Sequence, residues 1–286
     1  MNNMKDRLAL YLSVSQVCSR EITQHYSTSF SKAIRLLHPD FQDAICAIYG
    51  FVRIADEIVD SFHAYNKYQL LKEFEQATYE AISQGISTNP VLQAFQQAVR
   101  QYQIPHHLID AFFKSMFLDL EKNIYQHPEE LNTYVYGSAE VVGLMCLCIF
   151  CEGDQAKYHQ LKDAARALGS AFQKVNFLRD IQADYQELKR CYFPAFTAKG
   201  FLDKQAKYEI EKNIEEEFAL GLQGIRSLPS KAKFGVYVAY RYFYALFKKI
   251  KRTNPEKIMQ QRIRIPNHQK LIIMLRASIR HQINGI

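Results

Sequence analysis

Two aspartate pairs, Asp56-x-x-x-Asp60 and Asp180-x-x-x-Asp184, constrain this chain more than any other feature. A four-residue step on an α-helix puts both side chains on one face, about one turn apart. Each pair sits in a segment whose other positions are largely apolar. Around the first, Phe41, Ala44, Ile45, Ile48, Phe51, Val52, Ala55, Ile58 and Val59 cover most of the circumference. Tyr49, Arg53, Asp56 and Asp60 form one stripe at spacings of 4, 3 and 4. Around the second, the apolar set runs from Ala164 to Ile181, and Gln173, Asn176, Asp180 and Asp184 form the stripe. A helix apolar nearly all round is normally buried. Each stripe is therefore expected to face an internal cavity rather than bulk water. One such pair alone reads as a solvated face; two copies, each continued by further polar groups, reverse that weighting. Helices that share metal ions must meet in space, and one all-helical domain follows from that requirement.

Four converging carboxylates need neutralising. At an effective dielectric of ~20, one like-charge pair at ~4 Å costs on the order of 4 kcal/mol. Either the pKa values rise or cations intervene. Mg²⁺ takes carboxylate, water and phosphate oxygens together. The expected metal set is Asp56, Asp60, Asp180 and Asp184 with Asn176, holding several Mg²⁺ ions (Mn²⁺ is the alternative) against a phosphorylated substrate. Arg53 and Arg179 supply fixed positive charge for phosphates, and Tyr49 supplies a hydrogen bond. The competing readings are a neighbouring acid as the partner of Arg179 and a plain core role for Tyr49.

Of the 286 residues 48% are apolar, and the few Pro and Gly cluster at breaks, which favours long helices over strands. Breaks are expected at residues 38–40, 65–66, 87–90, 104–105, 126–128, 152–154, 190–200, 228–229, 254–255 and 265–267. Pro90, Pro105 and Pro229 suit the first turn of a helix, and Asp203 and Asn267 suit N-caps. The longest apolar run, Val141 to Cys151, is too short to span a bilayer and reads as a buried helix. No signal peptide is evident, and the six cysteines read as reduced thiols of a cytosolic protein. Cys146, Cys148 and Cys151 lack a nearby fourth ligand for a metal site. The net charge of +7 is uneven: from Arg241 onward there are eleven Lys/Arg and one acid, Glu256. That segment is a solvated face, or it attracts anionic lipid or a diphosphate. Nucleic acid is not expected, because no recognised module accompanies the charge.

At these residues the chain resembles the squalene/phytoene synthase family, the trans-isoprenyl diphosphate synthases that join two prenyl diphosphates head to head. Ala47 through Asp60 is similar to the first acidic motif, Ala171 through Asp180 to the second, and Arg190-Cys191-Tyr192-Phe193-Pro194 to the segment that follows. Tyr26-Ser27-Thr28-Ser29-Phe30 resembles the N-terminal substrate-binding segment, with Ser27 and Ser29 at its hydroxyl positions. Tyr134 through Gly143 resembles the helix lining the hydrocarbon pocket. Arg262-Ile263-Arg264-Ile265-Pro266 and Lys270-Leu271 resemble the basic C-terminal segment. The likeness covers roughly residues 20–280. It implies one isoprenoid synthase domain over 1–286, an all-α helical bundle with a central cavity. It also implies substrate contacts from Ser27, Ser29, Tyr49, Arg53, Tyr134, Gln173, Asn176, Arg179, Tyr192, Arg262 and Lys270. Catalytic roles fall to Tyr49, Arg53 and the four aspartates.

Three positions depart from the family pattern. Tyr192 lies eight residues after Asp184 rather than seven. The usual single tyrosine near Arg241 aligns with Phe243, between Tyr242 and Tyr244. Glu140 stands where a small residue is usual; it either narrows the pocket or faces outward. The implied activity is Mg²⁺-dependent condensation of two geranylgeranyl diphosphates to phytoene, through a cyclopropylcarbinyl diphosphate. The alternative is C15 condensation to dehydrosqualene or squalene. NADPH is not expected, as no Gly-x-Gly-x-x-Gly fingerprint occurs. A non-catalytic helical assembly factor on the same fold would tolerate loss of the aspartates, and all four are present. The protein is expected in the cytoplasm, with peripheral contact at the inner face of the membrane.

Overall fold

A computed structural model describes residues 2–187, 189–197 and 201–284. It is 81% helical, with no strand among the described residues. The helices are α1 (Asn2–Tyr26), α2 (Thr28–Ile34), α3 (Pro39–Asp60), α4 (Lys67–Gln84), α5 (Pro90–Gln101), α6 (His106–Glu121) and α7 (Pro128–Val135). A π-helical turn (Tyr136–Glu140) leads into α8 (Val141–Cys151). Then come α9 (Gln155–Gln186), α10 (Pro194–Thr197), α11 (Lys204–Ser227), α12 (Ser230–Lys251), α13 (Pro255–Ile258) and α14 (Asn267–Asn284).

The starts of these helices follow from local chemistry. Asn66, Asn89, Asp154 and Asp203 each accept a backbone N–H of the following first turn. Pro90 sits in the first turn of α5, where it has no N–H to leave unpaired. Pro105 and Pro229 fall one position earlier than expected, as the residues before α6 and α12. Asn267 opens α14 as its first residue and does not cap it. The π-helical turn and the break at Ser27 between α1 and α2 have no counterpart in the sequence reading.

The back faces of α3 and α9 hold both site helices in place. Phe51 of α3 is fully buried and stacks on Phe95 of α5 at 3.9 Å, with Phe74, Phe112 and Phe113 around it. Truncating such a ring to alanine costs about 3–5 kcal/mol. Behind α9, Ala171, Val175 and Leu178 are fully buried. The run from Pro128 to Cys151 is, by length and hydropathy, able to cross a membrane, yet 67% of its most apolar window is buried. It packs against α3, α6 and α9 as a core helix. All six cysteines are free thiols.

Candidate active site

The two polar stripes lie on either side of a groove between α3 and α9, which Arg190 links at one end. Tyr49, Arg53, Asp56 and Asp60 are half-exposed on α3, and Gln173, Asn176, Asp180 and Asp184 are half-exposed on α9, while most flanking apolar residues are buried. The side chains of Asp56 and Asp60 are 34% and 42% exposed. The stripes thus line an open groove rather than a sealed void. Burial, reinforced by Asp60, pushes the Asp56 carboxyl up to about 7. Burial and then Asp180 push Asp184 up to about 7, and Asp60 on the opposite helix adds to the effect. Arg190, bonded to the Asp60 side chain and to the Asp184 carbonyl, brings the ends of α3 and α9 close together. Among the described residues, no three His, Cys, Asp or Glu side chains converge on a single metal position.

Arginines pair with the carboxylates of both rows. Arg190 Nη1 donates to Asp60 Oδ1 at 2.7 Å, and Nη2 donates to the carbonyl oxygen of Asp119 at 3.1 Å. The backbone N–H of Arg190 donates to the carbonyl of Asp184 at 2.8 Å. One residue therefore ties the ends of α3, α6 and α9 together. Arg53 pairs with Glu57, approaches Asp56 at 4.0 Å and lies over the Tyr26 ring at 4.4 Å. Arg179 and Arg262 both engage Asp180, at 2.5 Å and 2.7 Å. The competing reading of Arg179, as partner of a neighbouring acid, is the one observed. Lys270 Nζ donates to Thr28 Oγ1 at 2.7 Å. Burial lowers its pKa, and the nearby charges of Lys32 and Arg179 lower it further. Lys32, Arg179, Arg262 and Lys270 thus make a crowded cationic corner beside Asp180, which an anion would relieve.

Beneath Arg190 is an aromatic floor. Tyr192 stacks on Phe177 at 3.9 Å and on Tyr134 at 5.5 Å, and Tyr125 stacks on Tyr192 at 5.7 Å. An isolated parallel bridge between Ile124 and Cys191 joins the two loops that carry Tyr125 and Tyr192. The Tyr134 hydroxyl donates to Asp119 Oδ2 at 2.6 Å. Asp119, only 7% exposed, is pushed up to about 7 by burial, against the pull of Arg190. Asp119 and Lys32 escaped the sequence reading, and Arg190 entered it only as part of the segment after the second acidic motif, with no role assigned. Asp119 did carry a signal: it shares a face of α6 with Leu108, Phe112 and Met116, so it is an acid at a core position.

The apolar end of the groove begins at Tyr49. Ser27 caps α2 by accepting the N–H of Phe30. Burial raises the Tyr49 hydroxyl above its ordinary range, against the opposing pull of Arg53 and of Ser27. Ser29 is half-buried in the same helix. Phe30 packs against Tyr49, Phe172 and Phe243, and Phe243 stacks on Phe172 at 4.1 Å. Phe243, without a hydroxyl, is the ring of its trio that reaches Phe30; Tyr244 packs on Phe218 and Tyr240 instead. Glu140 pairs with Arg166 of α9 at 2.7 Å, and its side chain is only 14% exposed. Two surface clefts, of 660 Å³ by Phe201 and Met259 and 580 Å³ by Tyr79 and Asp110, are lined by none of the four aspartates.

The squalene/phytoene synthase family profile matches residues 23–269. The chain belongs to that family. A phytoene synthase from Arthrospira platensis is 26% identical over 92% of this chain and 92% of its own length. The 15-cis-phytoene synthase of Synechocystis sp. is 25% identical over 94% of this chain and 85% of its own. Among solved structures, a ligand-bound dehydrosqualene synthase superposes with a TM-score of 0.81 at 17% identity, covering 95% of this chain and 98% of its own. A squalene synthase from Alicyclobacillus acidocaldarius gives 0.75 at 21% identity, over 86% and 97%. At those identities the structures speak for the fold alone. As a member of the squalene/phytoene synthase family the protein is a prenyltransferase, catalysing phytoene synthase-type head-to-head condensation.

Proposed function

We propose that the protein condenses two geranylgeranyl diphosphates to phytoene with Mg²⁺, releasing two diphosphates. The observation that carries the diphosphate site is two rows of carboxylates facing across a groove, with the cationic corner at one edge. The donor set suits Mg²⁺. Asn176 Oδ1 is a buried acceptor without a hydrogen-bond partner beside the carboxylates. Two separate rows match an ion that takes one or two carboxylates plus substrate phosphates. Asp56 and Asp60 on one side, and Asn176, Asp180 and Asp184 on the other, would hold it. When bound, Mg²⁺ supplies positive charge to the leaving diphosphate.

The residues of the chain do the rest. Arg53, Arg179, Arg262, Lys270 and Tyr49 orient the diphosphates. Phe30, Phe172 and Phe243 exclude water from the allylic cation left when the first diphosphate departs. The double bond of the second chain attacks that cation, and a proton is lost as the cyclopropane closes. Departure of the second diphosphate, rearrangement and loss of another proton give the triene. The same rings favour a second reading, C15 condensation of farnesyl diphosphate, because they crowd the apolar end of the groove.

Incubation with Mg²⁺ and labelled C15 or C20 diphosphates tests both readings. Diphosphate release with a C40 product supports the first, and a C30 product supports the second. No release from either overturns both. Asp56→Ala and Asp180→Ala are each expected to lower turnover by at least about 10³-fold while the circular dichroism spectrum is retained. Near-normal rates would sink the metal assignment.

A further inference from the structure

Helix α14 is covered on one side only. Ala277 is fully buried against the bundle, Ile273 and Met274 pack on the core, and the His281 ring stacks on Phe234 of α12 at 4.9 Å. On the other side Leu271, Ile272, Leu275 and Ile279 are 52%, 45%, 54% and 55% exposed. At 100° per residue these four form one stripe roughly 100° wide. Arg276 and Arg280 follow Ile272 at steps of four along its edge, both exposed. No Asp or Glu occurs from Lys257 onward.

Charge selects the occupant of this face. A contiguous apolar row rimmed by polar residues marks an interaction surface. A second copy docked about a two-fold axis would bring the arginine rows together, with no carboxylate on α14 to pair with them. An anionic surface complements the same pattern. We propose that this face of α14 docks on an anionic phospholipid bilayer. The four apolar side chains enter the boundary between headgroups and acyl chains, and Arg276 and Arg280 meet lipid phosphates.

The position of the helix links docking to the site. Lys270, in the first turn of α14, donates to Thr28 at 2.7 Å, next to Ser27, and Arg262 just before the helix holds Asp180. The lipid surface therefore lies beside the rim of the groove. Release of an oily product into that bilayer rests on the proposed prenyl condensation; the docking itself does not.

Co-sedimentation of the full chain with vesicles reads the docking without any turnover. Binding is expected to phosphatidylglycerol-rich vesicles, to weaken as salt rises from low to high, and to be slight with phosphatidylcholine alone. Each surface arginine contributes about fivefold, so Arg276→Gln with Arg280→Gln should weaken binding about 25-fold. Leu275→Gln with Ile279→Gln should weaken it at least about tenfold. Both pairs are exposed, so thermal midpoints should hold. Failure of the unaltered protein to bind anionic vesicles at low salt overturns the proposal, as does equal binding by both variants. A dimer in sedimentation equilibrium that Leu275→Gln with Ile279→Gln dissolves overturns it in favour of a second copy.

Discussion

Arg190 makes the most consequential set of contacts at the site. Its guanidinium is nearly buried, and it faces Asp60, Asp119 and Asp184. Removing one partner of a buried ion pair leaves the other charge uncompensated, at a cost of about 3 kcal/mol or more. The direct ion-pair partner, Asp60, is open to water. The buried charge left behind is the Asp119 carboxylate, which Arg190 stabilises through its charge while bonding the Asp119 backbone carbonyl. Its carboxyl already lies near 7, so protonation can discharge it. Arg190→Ala should therefore destabilise the protein by about 3 kcal/mol at pH 8 and by clearly less at pH 5.5. Urea titrations at the two pH values measure the difference; an equal loss at both would show that Asp119 is not the stranded charge. Asp119 was legible in principle as an acid on an apolar helix face. Arg190 was visible only as part of a family-like segment; its bond to Asp60 was not legible, because the two are 130 positions apart and Arg190 lies in a loop without periodicity.

At the scale of elements, periodicity and caps carried most of the reading. Each apolar repeat bounded by Asn, Asp or Pro became a helix, and the D-x-x-x-D stripes stayed on one face because a four-residue step on a helix always does. What escaped has a physical reason. A π-helical turn inserts a single extra residue without changing composition, so no pattern announces it. Its setting shows how it is held. A Cβ on Gly169 of α9 would lie 2.7 Å from the carbonyl oxygen of Ala139 in the π turn, and one on Gly143 of α8 would lie 2.8 Å from that of Ala165. The two backbones touch, and only glycine allows it. Gly169→Ala gains about 1 kcal/mol of helix propensity. It also meets backbone that cannot rotate away, an overpacking cost of about 1–3 kcal/mol. The second effect should win. The denaturation midpoint is expected to fall by the equivalent of about 1 kcal/mol, with turnover reduced because Tyr134 and the π turn shift together. An unchanged or raised midpoint would show that the turn yields.

The whole molecule carries a charge arrangement that binding must complete. Asp56, Asp119 and Asp184 are each held near 7, against less than 4 for an exposed aspartate. The folded state therefore binds more protons than the unfolded chain between those values, and its stability declines as pH rises through that window. One pKa unit corresponds to 1.36 kcal/mol. Asp56 is a third exposed and Asp184 half-buried, so solvent screening leaves on the order of 1 kcal/mol per group. The metal-free protein is accordingly expected to melt several degrees lower at pH 8 than at pH 5.5. Mg²⁺ with inorganic pyrophosphate should act in the opposite sense to rising pH. At 100 times its dissociation constant a ligand stabilises by about 2.7 kcal/mol. That gain should be largest at pH 8, where the carboxylates are ionised, and small at pH 5.5, where protons already occupy them. Asp56→Asn with Asp184→Asn should flatten the pH dependence and remove the response to Mg²⁺ and pyrophosphate together. Scanning calorimetry over that pH range decides the matter: a ligand response that survives the double substitution would place the binding charge elsewhere than on the two facing rows.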